Sequence, residues 1–347
     1  MSQLSNNAVL FNNIPESMPV KGKDLVFVQQ SFDLNQILLN PGDFVLQTLY
    51  LSLDPFMRFR MRDPKVKSYV DAFELGKPVI NLGIGRVIKS ENSQYPIGVL
   101  LEGILPFQEY ITVVSNNSNC IRSVVKEIPG IPLSAYLGLL GVSCWTAFIG
   151  LYDIGRIKSG ETIFVSAASG AVGQLVVQLA KLEGLRVIAS AGSAEKVEFL
   201  KNELGCDEAF NYKQEQPRVA LKKYCPNGLD VFFDNVGGAT LEAALSMAND
   251  HARFIECGMI SQYNSSGLPG PRNLTLIVTK RIRMEGFIIS DHKHKFKEYT
   301  NKMIQLVLDR RIVFKEHVSY GIENAIDGLI GMLKGDKLGK ALVKLAD

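Results

Sequence analysis

The sequence predicts an α/β protein in two parts, a β-rich module joined to a doubly wound parallel sheet. From about residue 160, β-branched or aromatic runs alternate with helical periodicity, with strand starts roughly 20 to 30 residues apart, the rhythm of βαβ crossovers. The first of these runs enters a glycine turn that opens directly into an amphipathic helix. Residues 1 to about 130, by contrast, carry strand and turn signals with little helical periodicity.

In the first part, Asp43–Thr48 follows the turn pair Pro41-Gly42, and Ile80–Val87 and Glu109–Val114 read as further strands. Ile128–Tyr152 then runs for 25 residues without a charge. Pro129, Pro132, Gly138, Gly141 and Gly150 interrupt it, so it reads as a buried helix between the two parts and not as a membrane span. The expected strands of the second part are Thr162–Ser166, Arg186–Ser190, Glu208–Phe210, Asp230–Phe233, Arg253–Cys257 and Ile282–Ile288. A helix over Phe296–Asp309 follows, then strands at Ile312–Val318 and Ala341–Leu345. The domain expectation is a β-rich unit of residues 1–131, completed by 315–347, and a Rossmann-like nucleotide unit of residues 132–314.

The strongest local signal is Thr162-Ile163-Phe164-Val165-Ser166-Ala167-Ala168-Ser169-Gly170-Ala171-Val172-Gly173, a strand entering a relaxed dinucleotide fingerprint with Ala168 in the first glycine position. Backbone must approach a pyrophosphate closely there, which is what Gly170 and Gly173 permit. Val172, Leu175, Val176, Leu179 and Ala180 then make the apolar stripe of the helix. At the end of the second strand, where NAD binders place Asp or Glu on the ribose hydroxyls, the chain reads Ala191-Gly192-Ser193. Ser193 is a good N-cap, and Lys196 stands at the third helical position, where a capping box puts an acid. A cation in a first helical turn opposes the macrodipole, and a 2′-phosphate beside it removes that conflict, so Ser193 and Lys196 are counted as cofactor-binding and NADPH as the cofactor. The plain alternative is a solvated lysine near Glu195. Asp234-Asn235-Val236-Gly237-Gly238 and Cys257-Gly258-Met259-Ile260-Ser261-Gln262-Tyr263-Asn264 follow the fourth and fifth strands, at the edge where open α/β sheets hold ligands.

Composition excludes other classes. The net charge of +3, with no block of Lys or Arg, gives a nucleic acid or membrane surface nothing to bind. Five scattered cysteines without a C-x-x-C, and four histidines all beyond residue 250, leave no credible metal ligand set. His292-Lys293-His294 reads as a solvated loop. Met1–Asn13 lacks the marks of a signal peptide, and the expectation is a cytoplasmic protein. Gly335-Asp336-Lys337-Leu338-Gly339-Lys340 has neither the spacing nor the hydroxyl of a P-loop.

The fingerprint turn, Ala191-Gly192-Ser193-Ala194-Glu195-Lys196, Phe210-Asn211-Tyr212-Lys213, Asn235-Val236-Gly237-Gly238 and Cys257–Asn264 together resemble the NADPH-dependent alkenal double-bond reductases. The likeness is to the plant and fungal members, next to the leukotriene B4 dehydrogenase and prostaglandin reductase branch, and runs from Leu51-Ser52-Leu53-Asp54-Pro55 to Leu338-Gly339-Lys340. It implies a zinc-free medium-chain reductase fold with a chaperonin-10-like β domain, a homodimer, and NADPH held between the domains. On that resemblance Lys196 and Tyr212 hold the 2′-phosphate, and Gly170, Ala171, Val172 and Gly173 the pyrophosphate. Asn235, Cys257, Ser261 and Tyr263 line the ribose and nicotinamide end, with Phe287, Ile288 and Ile289 beside the ring.

Three positions depart from the family pattern. Asp-Pro-Tyr-Met-Arg reads Asp54-Pro55-Phe56-Met57-Arg58 here, a second substrate-side Tyr is Thr279, and an expected Asn is Lys337 at the cofactor. The implied reaction is reduction of the C=C bond of an α,β-unsaturated aldehyde or ketone, hydride going to the β-carbon and a proton to the α-carbon. Tyr263 is the expected donor to the developing enolate oxygen, with Phe56 and Thr279 as substrate contacts. The rivals are an NADPH quinone reductase of the same superfamily and a nucleotide-binding structural or sensor protein without turnover.

Overall fold

Central strands form where the chain can be covered on both faces, and Phe44–Ser52 is buried along almost its whole length. The computed structural model describes residues 4–115, 120–265 and 270–347. Contacts gather Met1–Leu137, His317–Lys334 and Ala341–Asp347 into one unit and Gly138–Glu316 with Gly335–Lys340 into the other.

The first unit is built on a seven-stranded sheet in which Phe44–Ser52 lies between Lys340–Lys344 and Ile80–Ser90, followed by Leu100–Pro106 and Ile121–Val124. Tyr110–Val113 also pairs antiparallel with Phe44–Ser52, and Glu316–Tyr320 closes the far edge. Its core packs Phe11, Phe44, Leu46, Leu51, Phe107 and Val343. The strands expected at Asp43–Thr48, Ile80–Val87 and Glu109–Val114 are present, the first two longer than expected. Ala8–Phe11 and Leu25–Val28, which pair as a separate antiparallel ribbon, escaped the sequence reading.

In the second unit the strands are β1 (Thr162–Val165), β2 (Arg186–Ala191), β3 (Glu208–Asn211), β4 (Leu229–Asp234), β5 (Ala248–Glu256) and β6 (Arg283–Gly286). Their order in the sheet is β3-β2-β1-β4-β5-β6, and every pairing is parallel. The order reverses between β1 and β4, so the crevice for a ligand opens at the carboxyl ends of those strands. The helices are α1 (Val142–Phe148), α2 (Gly173–Leu182), α3 (Ala194–Asn202), α4 (Pro217–Tyr224), α5 (Gly238–Met247), α6 (Thr275–Thr279) and α7 (Phe296–Leu308). One face of the sheet packs Phe164, Ile188, Phe232 and Phe254 against Leu221, Leu241 and Leu245.

Three expectations change. The uncharged stretch is not one helix: a 3-10 turn at Leu133–Leu137 precedes α1, which runs into a π-helical turn at Ile149–Ile154. Among the described residues no helix is long and apolar enough to cross a membrane. The strand expected at Ile312–Val318 begins only at Glu316, because the N–H groups of Val313 and Lys315 donate to side chains instead of a neighbouring strand. Gln178 and Gln174, buried on α2, each accept the backbone N–H and donate to the carbonyl, at 2.7 and 2.8 Å for Val313 and 2.8 and 3.1 Å for Lys315. Residues 335–340, expected with the β-rich part, lie with the nucleotide unit, since Gly339 bridges Gly170 and its N–H donates to Ser169 O at 2.9 Å.

Candidate functional site

The turn after β1 is tight before any ligand is considered. Gly170 N–H donates to Ala167 O at 3.1 Å, and Ala167 itself takes a positive φ of 48°. A side chain at Gly173 would put its Cβ 2.6 Å from both Ala167 O and Ala168 Cα, so only glycine lets α2 begin against the turn. Ala171 and Val172 are half-buried between them. The backbone N–H groups at the start of α2 therefore face the crevice side of the sheet, the arrangement that receives a pyrophosphate.

At the end of β2 the cap is as the sequence suggested: extended Ser193 accepts Lys196 N–H at 3.3 Å. The solvated reading of Lys196 is overturned. Its side chain is only 6% exposed, and its ammonium donates to Gly335 O at 2.6 Å. Burial lowers its pKa, and Asp336 acts in the opposite sense. Tyr212 donates its N–H to Ala191 O at 3.1 Å and leans its half-exposed ring over Gly192, where a Cβ would fall 3.0 Å from the hydroxyl. Lys337, half-buried, lies between Gly335, tied to Lys196, and Gly339, tied to the fingerprint turn. A buried cation, with no acid on the strand end, fits a 2′-phosphate and not a pair of ribose hydroxyls.

The loops after β4 and β5 are joined to each other. Asn235 donates from its backbone to Ser166 Oγ and from Nδ2 to Ser166 O, both at 2.8 Å, which fixes it over the end of β1. Ile260 N–H donates to Asn235 O and Ser261 N–H to Val236 O, both at 3.2 Å, and Ser261 O–H donates to Val236 O at 2.5 Å. Gly237, at φ 71°, makes this possible, because a Cβ there would meet Met259 at 2.9 Å. The Cys257 N–H donates to Asp234 O at 2.9 Å, and burial with the nearby Asp234 and Glu256 pushes its thiol up to about 12, which removes thiolate chemistry. Tyr263 follows the 3-10 turn Ile260–Gln262 and folds back so that its hydroxyl accepts Met259 N–H at 3.3 Å. Phe287 and Ile288 follow β6 as extended chain and Ile289 opens a 3-10 helix, all three half-buried at the same sheet edge.

Sequence reasoning passed over Asp234, Ser166 and Gly335. Asp234 stood inside a quoted motif, but its task is to hold backbone, a role that residue type alone does not announce. Thr279 is not gathered with the others. It ends α6, exposed, beside the amino ends of β5 and β6, where Lys280 bonds Ala248 and His251.

In the first unit, Phe56 is half-buried at the N-terminus of the four-residue helix Met57–Arg60. The turn before it is held by buried Asp54, whose carboxylate accepts from Ser52 O–H and from Asn81 Nδ2, the latter at 2.9 Å. Among the described residues no three His, Cys, Asp or Glu side chains are grouped to hold a metal ion.

Two family models match the chain, an N-terminal domain of oxidoreductases over residues 10–122 and a zinc-binding dehydrogenase domain over residues 171–308. The chain is 40% identical to an NADP(+)-dependent 2-alkenal reductase of Nicotiana tabacum, covering 99% of this chain and 98% of that protein. It is 37% identical to (+)-pulegone reductase of Mentha piperita, with 88% of each covered. Among solved structures, CurA from Vibrio vulnificus in complex with NADPH superposes with a TM-score of 0.88 at 34% identity, covering 98% of this chain and 99% of that one.

Proposed function

The chain belongs to the NADP-dependent alkenal and enone reductases of the medium-chain dehydrogenase/reductase family, and from that premise we propose how its own residues carry out the reaction. The protein reduces the C=C bond of α,β-unsaturated aldehydes and ketones with NADPH as cofactor. The observation that carries the residue assignments is the common sheet edge at which the fingerprint turn, buried Lys196 and the joined Asn235 and Tyr263 loops all end.

Gly170–Gly173 take the pyrophosphate on their backbone N–H groups, and Ser193, Lys196, Tyr212 and Lys337 take the 2′-phosphate. Asn235, Cys257 and Ser261 shape the nicotinamide end, and Phe287, Ile288 and Ile289 supply its apolar wall. When bound, NADPH supplies the hydride. Reduction at the β-carbon builds negative charge on the substrate's carbonyl oxygen, and the Tyr263 phenol is the donor aimed at that charge. Phe56 offers the substrate an aromatic wall without a hydrogen-bond donor. The α-carbon proton comes from water, no histidine being among these residues.

Three coarser features complete the reading. Turnover is zinc-independent, a reading that rests on cysteines spread along the chain without a C-x-x-C and on histidines that all follow residue 250. The assembly is a homodimer, supported by the open sheet edge at β6 and the exposed Leu274 and Val278 beside it. The compartment is cytoplasmic, supported by five unpaired cysteines. The test is NADPH oxidation against alkenals, aryl enones and quinones, with and without chelator. Oxidation with enones that survives chelation is expected; quinone turnover alone, or stoichiometric zinc by elemental analysis, overturns the assignment.

A further inference from the structure

Two carboxyl groups at this sheet edge are left without a role by the reaction above. Asp234 closes β4 and Glu256 closes β5, and the parallel register pairs the two residues directly, so both side chains leave the sheet on one face. Asp234 is fully buried and collects every donor at hand: Ser166 O–H at 2.8 Å, Val236 N–H at 2.8 Å, and Gly237 N–H at 3.0 Å from each oxygen. Glu256 collects none, since both of its oxygens are buried and neither has a hydrogen-bond partner among the described residues. A charged carboxylate in that position would lack all compensation, whereas a neutral acid beside a well-bonded anion is tolerable. Burial, and then the charge of Asp234, pushes Glu256 up to about 8. Burial also raises Asp234, but its donors keep it the anion of the pair.

The other groups around Glu256 do not relieve it. The Cys257 thiol, next along the chain, is neutral, and Gly286 across the other edge of β5 has no side chain. On this face α5 carries one titratable residue, Glu242, which is engaged by Arg272, and α6 carries none.

We propose that Asp234 and Glu256 share a single negative charge, the proton residing on Glu256, and that this one-charge state holds the Asn235–Gly237 turn in its cofactor-receiving shape. Asp234 bonds the turn directly, and the turn bonds Ile260 and Ser261, so a second charge loosens both loops together. Glu256 is thus a positioning residue, and the proposal rests on the reading that Asn235 and Tyr263 serve the nicotinamide end.

The experiment measures NADPH dissociation constants by fluorescence titration from about pH 7 to about pH 9.5 for the wild type, Glu256→Gln and Glu256→Leu, with melting curves of the cofactor-free proteins from about pH 5 to about pH 9. The wild-type constant is expected to rise roughly tenfold or more over that range, and that of either variant less than about threefold. The sign of the melting effect follows from the raised pKa. The folded state holds the Glu256 proton more tightly than the unfolded chain, so the associated stability is full below the ordinary value of 4.5 and lost as pH rises through about 8. Wild-type melting should therefore fall more steeply across that window than that of the variants. Equal rises in the dissociation constant together with parallel melting profiles would overturn the proposal. Neither readout needs enone turnover, so an inactive protein whose pH dependence is abolished by Gln supports the carboxyl pair while sinking the catalytic reading. Should NADPH not bind at all, the cofactor reading falls and the melting comparison alone decides the pair.

Discussion

Lys196 spends its ammonium on a backbone carbonyl, at 2.6 Å from Gly335 O, in a place too buried for an ordinary surface cation. A 2′-phosphate arriving there gains a charge-assisted bond worth about 1.5–3 kcal/mol, so Lys196→Ala should raise the Michaelis constant for NADPH roughly ten- to hundredfold. That for NADH should hardly change; equal losses in both would assign the lysine to the fold. For Tyr263→Phe we expect turnover to fall about tenfold or more and NADPH binding to weaken much less, because the donor acts on charge that exists only in the transition state. Unchanged turnover with a good enone would remove it from catalysis. Phe56→Tyr adds a donor worth about 0.5–1.5 kcal/mol and should quicken turnover of small polar enones roughly two- to tenfold. A variant that melts several degrees lower and gains no rate would show instead that the ring only packs. The cap at Ser193 and the cation at Lys196 were legible because both follow from position in a first helical turn. That the lysine reaches Gly335 was not, since no local pattern predicts a partner so distant in sequence.

Elements with a period were read well, and elements held by side chains were not. All six parallel strands lie within about five residues of where alternation and spacing put them, and β2 to β5 are longer than expected, β5 the most. The segment before Glu316 has a strand's composition, yet its backbone is satisfied by the amides of Gln174 and Gln178 on the buried face of α2. Two polar residues inside an apolar helix give no sign of what they bond until the fold is known. Each amide holds one N–H and one C=O of this segment, and each such bond is worth about 0.5–1.5 kcal/mol net. Gln174→Ala and Gln178→Ala should each lower the melting temperature by several degrees, and the double variant by other than the sum, since both hold one segment. Additive or negligible losses would mean that water replaces the amides.

At the scale of the whole molecule, the chain passes between its two units repeatedly, after Leu137, Glu316, Lys334 and Lys340. The sequence reading found the return but credited all of it to the β-rich unit, because strand signals do not say which sheet they join. The short piece Gly335–Lys340 instead lies with the nucleotide unit, where Gly339 bridges Gly170 and Gly335 receives Lys196. That arrangement sets a schedule for biosynthesis. The fingerprint turn leaves the ribosome well over a hundred residues before the segment that braces it is made, and at about 5–20 residues per second the nascent chain waits many seconds for that segment. Arrested chains ending shortly before residue 335 should carry a protease-resistant parallel sheet that retains no NADPH, and retention should begin only once Gly339 is clear of the exit tunnel; binding at the shorter length would show that the brace is dispensable. A cell making this enzyme therefore gains no cofactor-loaded intermediate before Gly335–Lys340 has emerged, and the nucleotide can protect the fold from proteases only from that point on.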